Sequence, residues 1–489
     1  MVAVRKFLIL THRYLGIAVC LLFVMWFVSG IAMIFARGMP GLTPEVRLQH
    51  LPLLDTGAVK ISPAEAAEKA LLERSPNRVT LLAVMDRPAY RFSSGRSTVT
   101  VFADSGDVLE NVDQPEAMKI AARFMNVPET QLRYAGELVE PDQWTLEERR
   151  TLPAHKVTVD DGAHTELYVS EETAEVALLT TRGSRALAWF AAIPHWMYFA
   201  PLRQNGPVWR QVVLWTSGAA TVLALIGIIL GFTQYFTRYA GLMRWHYVTG
   251  VLFGVFCVTW VFSGLLSMEP FFWASGGGTG NRISQALRGG PLDLSRFPKL
   301  ALLPGNFKEI EFLRIQGEHY YFTRNDSNEP LLVSADSSQS RRDLFSTESL
   351  MMRVKQSTPD VPIAESVLLS KYDSYYHPTE RKPPLPVLRV KFADPDATWI
   401  YIDAYMSQVV TRFTRRERLQ RWIYHGLHSL DFNFWYYQGP VWTSTMVLLN
   451  AGGAMLSGIG VLLAIKRVAR SIKRMIRVPA RSPRSGVPV

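Results

Sequence analysis

Cysteine is nearly absent from this chain: only Cys20 and Cys257 occur among 489 residues. Both fall inside hydrophobic runs and none lies in a polar stretch, so a disulfide framework is excluded and the two read as packing residues. Charge is also scarce. Charged side chains make up 19% of the chain against 48% hydrophobic, the balance of a membrane protein with sizeable polar parts. Acidic residues are missing from one end altogether, since Lys466 to Val489 holds eight Lys or Arg and no Asp or Glu. That tail supplies most of the formal charge of +11. Basic residues just beyond a hydrophobic run are the positive-inside signal and favour anionic lipid heads. The charge excess therefore points to a membrane surface and not to a nucleic acid. A dinucleotide fingerprint and a flavin motif are absent as well. The run Gly276 to Gly280 has no strand pattern before it and no helix pattern after it, so it reads as a linker and not as a phosphate loop.

Long stretches without charge are abundant. His246 heads one of them, 22 residues from Tyr247 to Met268, long enough for a helix to cross a bilayer. The same pattern stands near the N-terminus at an offset of 234: His12 matches His246, Gly16 matches Gly250, Trp26 matches Trp260, and Ser29-Gly30 matches Ser263-Gly264. A second register, offset by 233, begins where Pro153 meets Pro386. It continues through Arg185 and Arg418, Trp189 and Trp422, His195 and His428, the two Gly-Pro-Val-Trp motifs at 206 and 439, and Gly227 and Gly460. A repeat of this kind sets the architecture. The first apolar run, Tyr14 to Phe35, is too long for a signal core and lacks a small-x-small cleavage pattern close behind it, so it reads as an anchor. Further spans fall near 208–236, 247–270 and 441–465.

Between the spans lie two polar regions. In the first, Ser62-Pro63 opens a capped helix, and Glu116 to Met125 reads as another. Strand patterns occur at Tyr90 to Phe92, Thr98 to Phe102, His155 to Val159 and Glu166 to Val169, the last two split by the turn Asp160-Asp161-Gly162. Residues 281–415 echo this mixture: Tyr321 and Phe322 resemble Tyr90 and Phe92, Ala335-Asp336 resembles Ala103-Asp104, and strands are expected at 388–392 and 399–402. The expected fold is an α-helical membrane bundle of four transmembrane helices, internally duplicated, with two α+β extracytoplasmic domains. Its segments are a first span (1–36), a polar domain (37–184), an interfacial helix and second span (185–240), a third span (241–272), a second polar domain (273–415), an interfacial helix and fourth span (416–466), and a basic cytoplasmic tail (467–489). The basic residues place both termini in the cytoplasm.

Ten histidines occur. His50, His155, His164, His319 and His377 lie in the polar regions without shared spacing and read as packing or surface residues. The other five stand at membrane boundaries. His12 and His246 head the outgoing spans; His195 and His428 precede the returning spans, with His425 three residues before His428. A boundary imidazole has a plain explanation at headgroup level. Repeat-related pairs suggest more, because ionisable groups near hydrocarbon usually face the bundle interior. Bundles build cofactor sites from facing side chains, and haem iron accepts an imidazole on each side.

The motifs His12-Arg13-Tyr14-x-Gly16, His246 with Gly250, Trp422 to His428 and the Gly-Pro-Val-Trp returning spans resemble the PepSY-associated transmembrane family, over nearly the whole chain. The resemblance implies PepSY-like polar domains and a multi-pass protein of the bacterial inner membrane, with both large loops periplasmic. It further implies haem b, one or two per chain, ligated by His12, His246, His195, His428 and, as a further candidate, His425. Some members of the family reduce ferric siderophores, so the implied partner is a ferric siderophore or other ferric chelate; the electron donor is not readable from the sequence, and a membrane quinol or a cytoplasmic protein contacting the basic tail could each serve. Ala192 replaces the histidine that would mirror His425. The competing reading is a non-enzymatic, membrane-anchored module that binds a periplasmic peptide or protein; a transporter is a third, although the spans lack buried acids and broken midplane helices.

Overall fold

A computed structural model describes residues 2–476 except 37, 73–74, 96, 236, 270–277, 298–305, 326–329, 379–381 and 437–438. The chain forms two compact units, one of residues 1–38, 189–272 and 420–489, the other of 39–188 and 273–419.

The first unit contains four long helices, Val2–Phe35, Gly206–Thr233, Gly241–Leu266 and Pro440–Ile476. The shortest has 26 residues, about 39 Å at 1.5 Å per residue, more than the roughly 30 Å of hydrocarbon in a bilayer. Mean hydropathy reaches 1.9 to 2.6 over their most apolar windows. The protein is a multi-pass membrane protein. The helices outrun the apolar stretches legible in sequence, because hydropathy marks only the part in hydrocarbon while the backbone ladder continues through flanking Arg and Lys. Asn205 caps the second helix by accepting from Val208 N, with Pro207 in the first turn; the Gly-Pro pair starts this helix.

Each helix packs against two others, first to fourth, fourth to third, third to second and second to first, so the four close into a ring. Phe27, Ala220, Trp260 and Leu449 are buried inside it, while Leu21, Trp215, Leu252 and Leu448 are exposed on the outside. A surface that apolar suits lipid. Close approach depends on small residues, as between membrane helices generally. A Cβ on Gly452 would lie 2.3 Å from the Phe253 ring, and one on Gly453 would lie 2.7 Å from Phe27.

The second unit is built from β-sheets. Its first polar region contributes β1 (Arg78–Val84), β2 (Arg87–Ser94), β3 (Ser97–Phe102), β4 (Leu132–Leu138), β5 (Ala154–Val159), β6 (Glu166–Ser170) and β7 (Glu175–Thr180). Its second contributes β8 (Glu309–Ile315), β9 (Glu318–Arg324), β10 (Leu331–Ser334), β11 (Ser340–Arg341), β12 (Ile363–Leu369), β13 (Val387–Phe392), β14 (Trp399–Asp403) and β15 (Gln408–Phe413). Strands β4 to β7 form one antiparallel meander and β12 to β15 another. The bounds of β5, β6 and β7 plus 233 reproduce those of β13, β14 and β15, and a bulge follows Tyr168 in one and Tyr401 in the other. A helix, Gln114–Met125, packs on the first meander under a capping box of Asp113 and Glu116. Thr347–Ser357 buries Leu350 and Val354 with the apolar face of the second.

The remaining strands join the two regions. They make one seven-stranded sheet in the order β11-β10-β9-β8-β1-β2-β3, in which β1 pairs antiparallel with β8. The two polar stretches thus share one sheet inside one compact unit. Two details of the sequence reading change. Tyr90, Phe92 and Tyr321 share one core, but Phe322 is half-buried on the opposite face, since neighbouring residues of a strand point apart. The glycine run expected as a linker divides: residues 270–277 lie outside the described residues, whereas Gly278 opens an 11-residue helix, Gly278–Arg288.

A buried ion cluster lies at the β1–β8 seam. The Glu309 side chain, 1% exposed, accepts from Arg47 at 2.7 Å, Arg324 at 2.9 Å and Arg78 at 3.1 Å. Arg47 also reaches Glu175, which Arg91 holds at 2.6 Å. Burial alone would raise the Glu309 pKa, but Arg47, Arg78 and Arg324 outweigh it and hold the carboxyl below the ordinary glutamate value. A depressed folded-state pKa gives stability that is present above the unfolded value of about 4.3 and lost as pH falls through the folded one. Glu309→Gln should therefore destabilise this unit by about 3 kcal/mol near neutrality, the usual cost of breaking a buried pair. The gap to wild type should narrow below about pH 4. Thermal unfolding of both proteins across pH checks this; a gap independent of pH would contradict it.

Candidate functional site

Four of the five boundary histidines meet as two pairs. His12 on the first membrane helix and His246 on the third have ring centroids 6.2 Å apart, at an interplanar angle of 49°. First and third helices lie diagonally across the ring of four, so two side chains pointing inward meet near its axis. His195, in the short helix Ala192–Trp196, and His428, in the turn Leu427–Ser429, have centroids 6.0 Å apart, at 65°. His425 lies one turn earlier, in the π-helical segment Trp422–Gly426, with its ring 4.7 Å from that of Tyr424. The ring that faces His195 is that of His428.

The first pair is held by backbone and by missing side chains. His12 Nδ1–H donates to the Leu223 carbonyl at 3.2 Å, leaving Nε2 as the lone-pair nitrogen. Leu456, 233 residues beyond Leu223, lines the same cavity, but His246 Nδ1 has no partner within hydrogen-bond distance. A Cβ at Gly227 would stand 3.0 Å from His12 Cε1, and one at Gly460 would stand 3.7 Å from His246 Cε1. The second and fourth helices thus each present a bare backbone to one ring. Around the pair opens a cavity of about 620 Å³, within the range of cofactor sites. Phe23, Phe27 and both cysteines line it, with Gly16 and Gly250, while Arg13, Arg467 and Arg470 add positive charge. Cys257 is also buried in the apolar core.

The second pair is held by side chains. Ser29 Oγ donates its hydrogen to the Trp26 carbonyl at 3.1 Å, so the contact of 3.2 Å to His195 must be donated by the ring, from Nδ1–H. Ser263 repeats this: Oγ donates to the Trp260 carbonyl at 2.9 Å and accepts from His428 Nδ1–H at 3.0 Å. Both histidine segments end on a left-handed residue, Met197 or Leu430. Trp209 and Trp442 tie them to the returning helices by indole donation to the carbonyls of Trp196 and Ser429, at 3.0 and 2.8 Å. The sequence already showed Ser29 and Ser263 as a repeated pair. Their role was not legible, because it depends on where a separate segment places its imidazole. Ser29 stands 17 residues beyond His12 on one helix, so the two pairs are about 25 Å apart along it.

The arrangement suits a planar iron macrocycle. An iron bonded on each side at about 2.0 Å holds the two nitrogens about 4 Å apart, and thus ring centroids on the order of 6 Å apart. A Cβ at Gly227 would crowd the cradle at the first pair, whereas one at Gly460 would only touch it. Among the described residues no three or more His, Cys, Asp or Glu converge as a metal group; the bundle instead offers imidazoles in twos. In the polar regions His155 is absorbed into packing, between Tyr134 OH at 2.9 Å and the Val112 carbonyl at 2.7 Å, and His319 and His377 are buried.

A ring of four apolar helices with paired imidazoles at two levels, joined to a β-sheet unit, defines a class of multi-pass membrane protein. Residues 9–467 match the family described as the PepSY-associated TM region, and the chain belongs to that family. No curated protein matches the chain in sequence.

The glycine cradle yields a differential test. Gly227→Ala should destabilise the bundle by about 1–3 kcal/mol through overpacking, because the Leu223 hydrogen bond keeps the His12 ring from moving away. Gly460→Ala meets only ordinary contact, and the helical preference of Ala over Gly, up to about 1 kcal/mol, should offset it. Thermal unfolding of the two variants in detergent should give clearly different midpoints; equal midpoints would contradict the cradle.

Proposed function

We propose that this is an inner-membrane, haem-binding electron-transfer protein that delivers electrons to ferric siderophores or other ferric chelates in the periplasm. The observation that carries this is the pairing itself: two sets of facing imidazoles, each at a separation one iron accepts, stacked through one apolar bundle. Internal duplication supports it, since the offset relating the histidines also relates β5–β7 to β13–β15. On this reading the two meanders with their helices are PepSY-like domains, and residues 37–184 and 273–415 are periplasmic. The His12–His246 pair then lies toward the cytoplasm and the His195–His428 pair toward the periplasm.

His12 with His246, and His195 with His428, would each hold a haem b, which would supply one-electron chemistry. The chain's own residues do the rest. The Leu223 carbonyl and the two serine hydroxyls hold Nδ1–H and so direct the Nε2 lone pair inward. Gly227 and Gly460 leave room beside the first pair, and Phe23, Phe27 and Trp260 keep the interior apolar. Arg13, Arg467 and Arg470 supply cations for carboxylates on a bound macrocycle. Reduction of a ferric chelate is outer-sphere and consumes one electron per iron, so no side chain need act as acid, base or nucleophile. A membrane quinol or a cytoplasmic protein attracted to the basic tail would supply electrons.

Haem quantified per chain in purified protein tests the reading. Wild type should bind haem. His246→Ala should lose the component at the first pair and keep the fold, since the apolar span is untouched, and His425→Ala/His428→Ala should lose the second. Wild type without haem, after expression with ample haem supply, would favour the anchored peptide-binding module instead. Topology is a separate test: reporter fusions at Asp104 and Asp336 should both respond as periplasmic, and a cytoplasmic response from either would refute the assigned sidedness.

A further inference from the structure

We infer that Ser29 and Ser263 are positioning residues that set the electron affinity of the metal site formed by His195 and His428; the inference rests on the haem reading above. Each serine is buried, 1% and 0% exposed, in a helix that apolar residues would serve as well. Each hydroxyl is fully used: its hydrogen goes to the carbonyl three residues back, Trp26 or Trp260, and its lone pair receives an imidazole Nδ1–H. The arrangement occurs twice, 234 residues apart in the serines and 233 in the histidines. Helical Ser commonly bonds back to its own helix. What is unusual is that the same oxygen also takes a ring proton from another segment.

Two consequences follow. The hydroxyl fixes the Nδ1–H tautomer, so the Nε2 lone pair faces the partner ring. An acceptor on the far nitrogen also makes an imidazole a stronger donor to metal, which stabilises ferric over ferrous iron. The first pair has no side-chain acceptor of this kind, since His12 uses the Leu223 carbonyl. It therefore serves as an internal control.

The test is a spectroelectrochemical titration of haem-loaded full-length protein, comparing wild type with Ser29→Ala and Ser263→Ala. The component of the second pair is identified by its loss in His425→Ala/His428→Ala. Each alanine variant should raise the midpoint of that component by the equivalent of three- to tenfold in its ferric/ferrous equilibrium, about 30–60 mV for one electron. The component of the first pair should not move. Ser29→Thr and Ser263→Thr keep the hydroxyl and should restore the wild-type midpoint, which a purely steric role would not achieve. An unmoved second component, or equal movement of both, would overturn the inference. So would a fall in midpoint, because it would make the Trp26 or Trp260 carbonyl, the next polar group at each ring, the effective acceptor. Loss of the second haem in the alanine variants with retention in the threonine variants would support the positioning role by another route. Absence of haem from wild type would instead refute the underlying electron-transfer reading, and the two failures are distinguishable.

Discussion

An imidazole enclosed by apolar helices has little water to satisfy it, so its Nδ1–H is best served by an acceptor inside the bundle, which His12, His195 and His428 each have. That requirement accounts for much of the membrane unit. His12 takes the carbonyl of Leu223, and a carbonyl inside a helix can accept an extra bond only if a neighbour comes close. The approach is possible because Gly227, one turn on, has no side chain to hold the ring away. At the other level the carbonyls nearest His195 and His428, those of Trp26 and Trp260, already accept a hydroxyl hydrogen. A serine takes over, bonding back to its own helix while accepting from the ring. Helix packing, glycine placement and tautomer choice thus form one problem with two solutions.

The β-sheet unit answers a similar constraint with opposite means. Glu309 is as buried as a core leucine, and a lone carboxylate there would cost far more than the unit could bear. Three arginines surround it, drawn from the helix near residue 47, from β1 and from β9. Replacing the whole cluster by apolar residues could leave stability unchanged or improved, because desolvation offsets most of the Coulomb gain. Its value lies in matching. Leu82 opposite Glu309 and Thr80 opposite Glu311 define one register between β1 and β8, and a slip of two residues would strand the carboxylate away from Arg78. The two polar regions are locked together by an interaction that tolerates only one alignment.

How much of this was legible in the sequence depended on the range of the signal. The meander strands expected at 155–159, 166–169, 388–392 and 399–402 fall within one residue of β5, β6, β13 and β14, because alternation and turn residues are local. Span positions were legible for the same reason, though their ends were not, since a helix does not stop where hydropathy does. The pairing of β1 with β8 was invisible, as it joins residues more than 220 apart and nothing local distinguishes an edge strand that finds a partner from one that does not. The histidines were found by their repeat spacing, and the structure places four of them as two pairs. His425 matched the chemistry of a ligand but not the repeat, and it is His428 that faces His195. The serines sat inside a motif already noticed, yet a hydroxyl in a membrane helix has a sufficient local explanation in bonding to its own backbone. Only the segment folded back from residue 195 or 428 gives its second lone pair a use.

Residues 233 or 234 apart recur in pairs on the two sides of the bundle interior, and the contacts they make are not all alike. Near the first pair the residues match but the contacts do not: Gly227 and Gly460, Gly16 and Gly250, and Leu223 and Leu456 line the same cavity, yet His12 Nδ1 reaches the Leu223 carbonyl while His246 Nδ1 has no partner within hydrogen-bond distance. Near the second the serine–imidazole bonds repeat, while the surroundings differ. A Cβ on Gly30 would meet the Asn450 amide oxygen at 2.7 Å and His195 Cε1 at 3.6 Å, whereas one on Gly264 would meet nothing within 4 Å. The residue matching Asn450 is Ser217, too short to reach as far. Ala192 stands where symmetry would put a second His425. The hydrogen bonds that occur in both halves are the ones Ser29 and Ser263 accept from His195 and His428; at the first pair only His12 is bound to backbone. Those two serine acceptors are side chains, so either can be removed by a single substitution that leaves the helix backbone as it is.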